Sequence, residues 1–314
     1  MLAPTSLCAD ESRPTLCSGQ RGLVVSRTPP PSSSETNPET WLLAEARRGD
    51  PERALLCALL PRPARLRAAA LVLLNAELVR VAEIASEEMV ALLRLQWWRE
   101  AIERTAAGGV PEHPLLHALA HPLHAQPGLA RELLALVGTR EDFLLTPRFD
   151  DVGAFERFVR ATSGRLHELL ARVDPDAAGG APDPLFAHLG TAYGVSGLLR
   201  ALPHYARRGI SVLPEDMLPR KTVLAAGRDA AARSRIRAAV AELVAQFATI
   251  PGLPQPLAPA RALHLRMLRT LALWSRRVLA RAAFDPFRLT AGPRPGLAFR
   301  LLLAHLGARV RNLR

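Results

Sequence analysis

Three arginines, Arg200, Arg207 and Arg208, crowd the end of a helical stretch just before Gly209. Guanidinium groups so clustered can grip a diphosphate or an acidic headgroup through charge-assisted hydrogen bonds. The same residues serve equally well as ion-paired cations at a helix end. Trp97 and Trp98 offer apolar surface for a ligand cavity. Neighbouring helical positions point about 100° apart, so at most one of them, taken here as Trp98, faces such a cavity, and core packing is the commoner use. His113, His117 and His121 follow the i, i+4, i+8 spacing that lines metal ligands along one helix face, with His124 close behind. Pro114 and Pro122 argue against one unbroken helix through all four, because an interior proline costs about 3 kcal/mol. Glu83 is a carboxylate for which the ordinary role is a solvated or ion-paired helix residue. Glu77, six positions earlier, sits on a different helix face. No nucleophile elbow, Walker loop or dinucleotide glycine fingerprint occurs.

The elements that must position these residues read as helices throughout. Alanine, leucine and arginine dominate, aromatics are 5%, and β-branched residues are sparse. A helical pattern opens at Trp41, and Asp50-Pro51 reads as an N-cap followed by proline in the first turn. Pro61-Arg62-Pro63 breaks the chain before a long helix from Ala64 to about Glu83, in which Ala68–Leu74 is a short buried apolar stretch. The next helix runs from Glu87 to Ala107 and stops at Gly108-Gly109. Further helices are expected near 114–122, 128–137, 153–173, 184–206, 228–248, 257–283 and 295–310. Breaks rich in Gly, Pro or Asp separate many of them. No strand alternation persists over five residues, so the expected class is all-α. Residues 1–40, rich in proline, serine and threonine, are expected to be a disordered tail, or an artefact of a misassigned start codon. Residues 41–314 are expected to form one domain.

The 314 residues carry a formal net charge of +12, yet Lys221 is the only lysine. Arginine, alanine and proline enrichment is what a GC-rich coding sequence produces. The charge alone therefore does not argue for nucleic acid, and no nucleic-acid-binding signature accompanies it. Attraction to an anionic membrane surface is the better use of such a charge. Cys8, Cys17 and Cys57 are odd in number and make neither a disulfide framework nor a zinc motif, which suits a reducing compartment. No apolar run reaches the roughly 18–20 residues that cross a bilayer, and the N-terminal stretch reads as a poor secretory signal. The expected location is cytoplasmic, with peripheral contact at the inner membrane.

Two regions carry a resemblance to a known family. The first is Leu73-Leu-Asn-Ala-Glu-Leu-Val-Arg-Val-Ala-Glu83 with Ser86-Glu-Glu-Met89 and Arg94-Leu-Gln-Trp-Trp-Arg-Glu100. The second is Gly194 to Pro214, in which Leu199-Arg200, Arg208-Gly209 and Leu213-Pro214 keep the register of a signature motif. Asp50-x-x-Arg53, His113-Pro114, Arg140-Glu-Asp142 and Phe284-Asp-Pro286 add weaker pieces. In order and spacing, from about Trp41 to Gly307, the chain resembles the squalene/phytoene synthases. The resemblance implies a single-domain isoprenoid-synthase-type helical bundle around a central cavity. It also implies condensation of prenyl diphosphates, with Mg²⁺ bridging the diphosphate to paired D-x-x-x-D motifs on facing helices. The matching positions here are Val79 and Glu83 in the first motif, and Ala201 and Tyr205 in the second. Only Glu83 keeps a carboxylate, and Pro203 interrupts the second helix beside the site.

Asn75-Ala-Glu77-Leu78, Arg94-Leu-Gln-Trp-Trp-Arg99 and Leu199-Arg200-Ala201 with Tyr205 resemble one branch of the family. That branch includes a mitochondrial complex I assembly factor and its bacterial relatives, and it is regarded as non-catalytic. The resemblance therefore implies a protein without a resident cofactor that serves complex I assembly or lipid binding. Its partners would be complex I subunits, or a prenyl diphosphate or lipid held by Arg200, Arg207, Arg208 and Trp98. The alternative is an active Mg²⁺-dependent prenyltransferase with rearranged ligands drawn from Glu77, Glu83, Glu215 or Asp216.

Overall fold

The computed structural model describes residues 37–84, 87–173, 183–254, 259–289 and 296–311. Of the expected tail, 1–40, residues 1–36 lie outside the described residues, while 38–40 belong to the first helix. The first helix starts three residues before Trp41, because the Asn37 side chain accepts from the Glu39 N–H and Pro38 occupies the first turn. The first half of the chain forms α1 (Pro38–Gly49), α2 (Pro51–Ala58), α3 (Arg62–Ile84), α4 (Glu88–Ala106), α5 (Pro114–Ala125), α6 (Pro127–Leu145) and α7 (Val152–Val159). The second half forms α8 (Arg165–Arg172), α9 (Pro184–Arg200), α10 (Leu202–Arg207), α11 (Arg220–Ala225), α12 (Ala230–Phe247), α13 (Pro259–Arg281) and α14 (Leu297–Arg311). No strand occurs among the described residues, so the all-α expectation holds.

Asp50 caps α2 as its sequence predicts, its side chain accepting from the Arg53 N–H. Central α3 is apolar all round through Ala68–Leu74, every one of which is buried, and it packs against α1, α2, α4, α5, α6 and α8. One hydrophobic core joins α1–α6, α8, the first part of α9, α13 and α14. A second joins α7, the rest of α9, the loop around Val212–Leu218, α11 and α12.

Several boundaries depart from the sequence reading; α6 runs on to Leu145 rather than ending near 137, and the 153–173 segment is divided by a π turn. The 184–206 segment is two helices, since Pro203 has no N–H to give and is accommodated in the first turn of a new helix after Ala201. Conversely, α5 runs unbroken through Pro122, which stands near its end, and His113 caps that helix rather than belonging to it.

Between α7 and α8 the helix widens into a π turn, Arg160–Gly164, where the Arg165 N–H reaches back to the Arg160 carbonyl. The turn lies directly against α9. A Cβ on Gly194 would stand 2.4 Å from Ser163 Cβ and 2.8 Å from Val159 Cγ1, and one on Gly190 would stand 2.8 Å from the Ser163 carbonyl oxygen. Glycine is therefore required for the approach. Gly194→Ala is expected to destabilise the protein by about 1–3 kcal/mol, as overpacking does. A thermal melt unchanged from the parent would contradict this contact.

Candidate functional site

Where the two cores meet, a cavity of about 440 Å³ opens between α2, α3, α6, α7, the π turn, α9 and α10. Tyr193 comes to its wall from the first core, and Phe158, Val159, Leu198 and Tyr205 come from the second. Val79, Ala201, Tyr205 and Arg200, chosen from sequence, all line it. Positions 79 and 201, 122 residues apart in sequence, thus face one space.

The cavity is lined by guanidinium groups. Arg53, Arg80, Arg140 and Arg200 face two carboxylates, Asp50 and Glu52. Arg53, the most connected, gives one NH to Asp50 Oδ2 at 2.6 Å and another to Ser163 Oγ at 2.7 Å. Its Nε–H donates to His167 Nε2 at 3.2 Å, and its guanidinium lies 4.6 Å from the centre of the Tyr193 ring. Ser163 passes its own hydroxyl hydrogen to the Gly190 carbonyl at 2.7 Å, so the π turn anchors Arg53 and α9 together. Arg200 forms a two-pronged pair with Glu52, at 2.8 and 2.7 Å, and Tyr193 donates its hydroxyl to the same carboxylate at 2.7 Å.

Burial works against the charge on Arg53, but Asp50, Tyr193 and Glu52 outweigh it and hold the guanidinium above its ordinary range. Burial likewise opposes the charge on Arg200, and Glu52 reverses the effect. His167 is pushed well below the usual histidine range, first by burial and then by Arg53. It is thus the neutral acceptor that the Arg53 hydrogen bond needs.

Arg140 differs from these. It donates to Asn75 Oδ1 at 3.2 Å and lies 5.5 Å from the centre of the Phe158 ring, and among the described residues no carboxylate pairs with it. Burial lowers its pKa, and Tyr205 offsets part of that effect. Arg80 takes Glu77 as its partner at 2.9 Å, and burial raises the Glu77 carboxyl above its ordinary value.

Of the four residues expected to hold a ligand, only Arg200 reaches the cavity. Arg207 and Arg208 are exposed at the end of α10, where Gly209 takes a left-handed φ of 74° to terminate the helix. Trp98 is fully buried in the first core, edge-on to Trp97 and His113, so its ring is packing rather than cavity wall. The side chain of Glu83 lies outside the described residues. Glu215 and Asp216 are exposed and outside the cavity lining, with Glu215 accepting from the Arg220 N–H. The histidine series does not converge either. His113 caps α5, His117 and His121 are exposed, and His124 bonds the Thr105 carbonyl.

Sequence reading missed Arg80, Glu52 and the roles of Arg53 and Arg140. Asp50-x-x-Arg53 was the clearest local signal, since a capping acid and an arginine one turn later share a helix face.

This all-helical bundle, with polar residues converging on a cavity between facing helices, has the fold of the isoprenoid-synthase class. The chain belongs to the squalene/phytoene synthase family, whose model matches residues 46–291. It is 29% identical over 181 residues to the rat and human proteins called NADH dehydrogenase (ubiquinone) complex I, assembly factor 6, covering 56% of this chain and 53% of each of them. The Drosophila melanogaster homologue is 29% identical over 179 residues, 54% of this chain and 52% of its own. The chain thus spans about half the length of these curated relatives. A dehydrosqualene synthase crystallised with a ligand superposes with a TM-score of 0.64 at 12% identity, over 88% of this chain and 96% of that one. Squalene synthase HpnC from Alicyclobacillus acidocaldarius gives 0.62 at 14%, over 80% and 95%. At these identities the two structures establish the fold.

The synthase fold implies Mg²⁺, and the donor chemistry of the cavity tests that implication. Both lining carboxylates are committed, Asp50 to Arg53 and Glu52 to Arg200 and Tyr193. Valine and alanine offer a hard cation no ligand, and a neutral phenol is a poor one. Among the described residues no three Asp, Glu, His or Cys side chains come together as metal ligands. The described donor set does not fit a Mg²⁺ cluster.

Proposed function

We propose that this protein is a non-catalytic member of its family that assists complex I biogenesis at the inner face of the membrane, holding an anionic ligand in its cavity without metal. The observation that carries the reading is the cavity wall itself. Four guanidinium groups face two carboxylates, each already paired, at the place where a synthase needs free carboxylates for Mg²⁺. Such a wall has a net positive charge and suits the phosphate of a lipid headgroup or a prenyl diphosphate, bound directly by Arg140 and its neighbours. The likeness to the assembly-factor proteins supports the same conclusion.

A deletion strain tests the biological half of the reading. Complex I activity is expected to fall while the strain's squalene, hopanoid and carotenoid content stays normal. Normal complex I with loss of an isoprenoid product would instead establish a prenyltransferase.

A further inference from the structure

The last helix presents apolar surface on the wrong side for a packed helix. Leu297 and Leu301 of α14 are buried against the body of the protein, where the helix contacts α13 and α2. Phe299, Leu302, Leu303 and Leu306 are exposed by 64%, 45%, 52% and 48%. At 100° per residue those four gather within about 100° of arc on the side opposite Leu297 and Leu301. The face pointing straight out from the protein is therefore a continuous leucine and phenylalanine stripe.

The charge of this end of the sequence is one-sided. From Leu243 to the end the sequence holds twelve arginines, no lysine and a single acid, Asp285. Almost all of the net +12 thus resides in this final stretch. Asp285 is itself buried and paired with Arg233 and Arg288, so it presents no surface charge. Arg300, beside the stripe, and Arg276, Arg277 and Arg281 on the supporting α13 are all exposed. None of the four pairs with a carboxylate among the described residues.

We infer that the outward face of α14, with the exposed arginines of α13, docks on an anionic lipid bilayer. An apolar stripe flanked by arginine is what an interfacial helix needs, since the stripe enters the acyl boundary while the cations meet lipid phosphates. A second copy of the chain is a poor occupant, because it would bring the same unbalanced arginines against these. Among the described residues no helix is long and apolar enough to cross a membrane, so the attachment is to one face. The inference rests on the membrane-face part of the proposed function and is independent of what the cavity holds.

Flotation of the full chain tests it, with vesicles of phosphatidylcholine alone and of phosphatidylcholine mixed with phosphatidylglycerol. Binding is expected to the mixed vesicles, weakening as salt rises, with little to the neutral ones. Phe299→Glu/Leu303→Glu, at two exposed positions, is expected to keep the melting temperature of the parent and to weaken binding about tenfold or more. Arg276→Glu/Arg277→Glu is expected to remove the preference for anionic lipid. Absence of binding to mixed vesicles at low salt, or binding unaffected by the double apolar variant, overturns the inference. So does a wild-type dimer in sedimentation that the apolar variant dissolves, which would assign the face to a second copy. If the apolar variant fails to restore complex I in the deletion strain while wild type binds no vesicle, the face belongs to a protein partner. That result overturns this surface and leaves the complex I reading standing.

Discussion

Arg53→Ala is expected to lower the melting temperature by roughly 6–20 °C, because losing one partner of a buried ion pair costs about 3–5 kcal/mol. The cost lies in what stays behind. Asp50 keeps a half-buried negative charge, Ser163 loses the donor at its oxygen, and His167 loses the N–H at its Nε2. These partners come from α2, the π turn and α8, so the one guanidinium ties α2 to the π turn and the helix that follows it. Arg53→Lys is expected to recover only part of the loss, since an ammonium cannot reproduce three directed contacts from a planar fork. Thermal melts of both variants check this. An alanine variant as stable as the parent would mean the network is ornamental.

Acid is expected to weaken the fold well before its surface carboxylates are exhausted. Burial lowers His113 and His264 to about 4 each and pushes His167 well below the ordinary value of 6.5. A histidine depressed in the folded state binds its proton more readily when unfolded. Its stabilising contribution is complete above about pH 6.5 and is lost as pH falls toward 4. Each tenfold drop in proton affinity on folding is worth about 1.4 kcal/mol, so His113 and His264 alone cost the fold several kcal/mol between pH 7 and pH 4, and His167 acts in the same direction. Glu77, raised by burial, runs the opposite way and blunts part of the slope. Melting temperatures between pH 7 and 4.5 should therefore fall steeply. His113→Asn, which keeps an N-cap acceptor for the Leu115 N–H, should flatten the curve. Melts independent of pH across this range would contradict the burial of these rings.

The helices were legible because their ends are chemically marked. Asp50-Pro51, Gly108-Gly109 and the apolar run Ala68–Leu74 carry their structure in adjacent residues, and all three occur as read. The break at Ala201 was half-visible in Pro203. The convergence of Val79, Ala201 and Tyr205 on one space was legible through the family resemblance, since no local pattern relates residues so far apart. The arginine network was not legible. Arg53 meets Ser163 across 110 residues and Arg200 meets Glu52 across 148, and neither pair leaves a trace in spacing. Trp98 was ambiguous for a related reason. Its type suits a cavity wall as well as a core, and only the packing of α4 and α5 decides between them. The outward stripe of α14 is similar, because its sequence is apolar on both sides and only the fold selects which side is covered.

One assay addresses the chemistry of the cavity directly. Purified protein is incubated with farnesyl or geranylgeranyl diphosphate, with and without Mg²⁺, and the organic extract is analysed for condensed product. A cavity of paired carboxylates and arginines predicts that no squalene, phytoene or cyclopropyl intermediate forms under either condition. Mg²⁺-dependent appearance of any of these products would contradict a non-catalytic cavity.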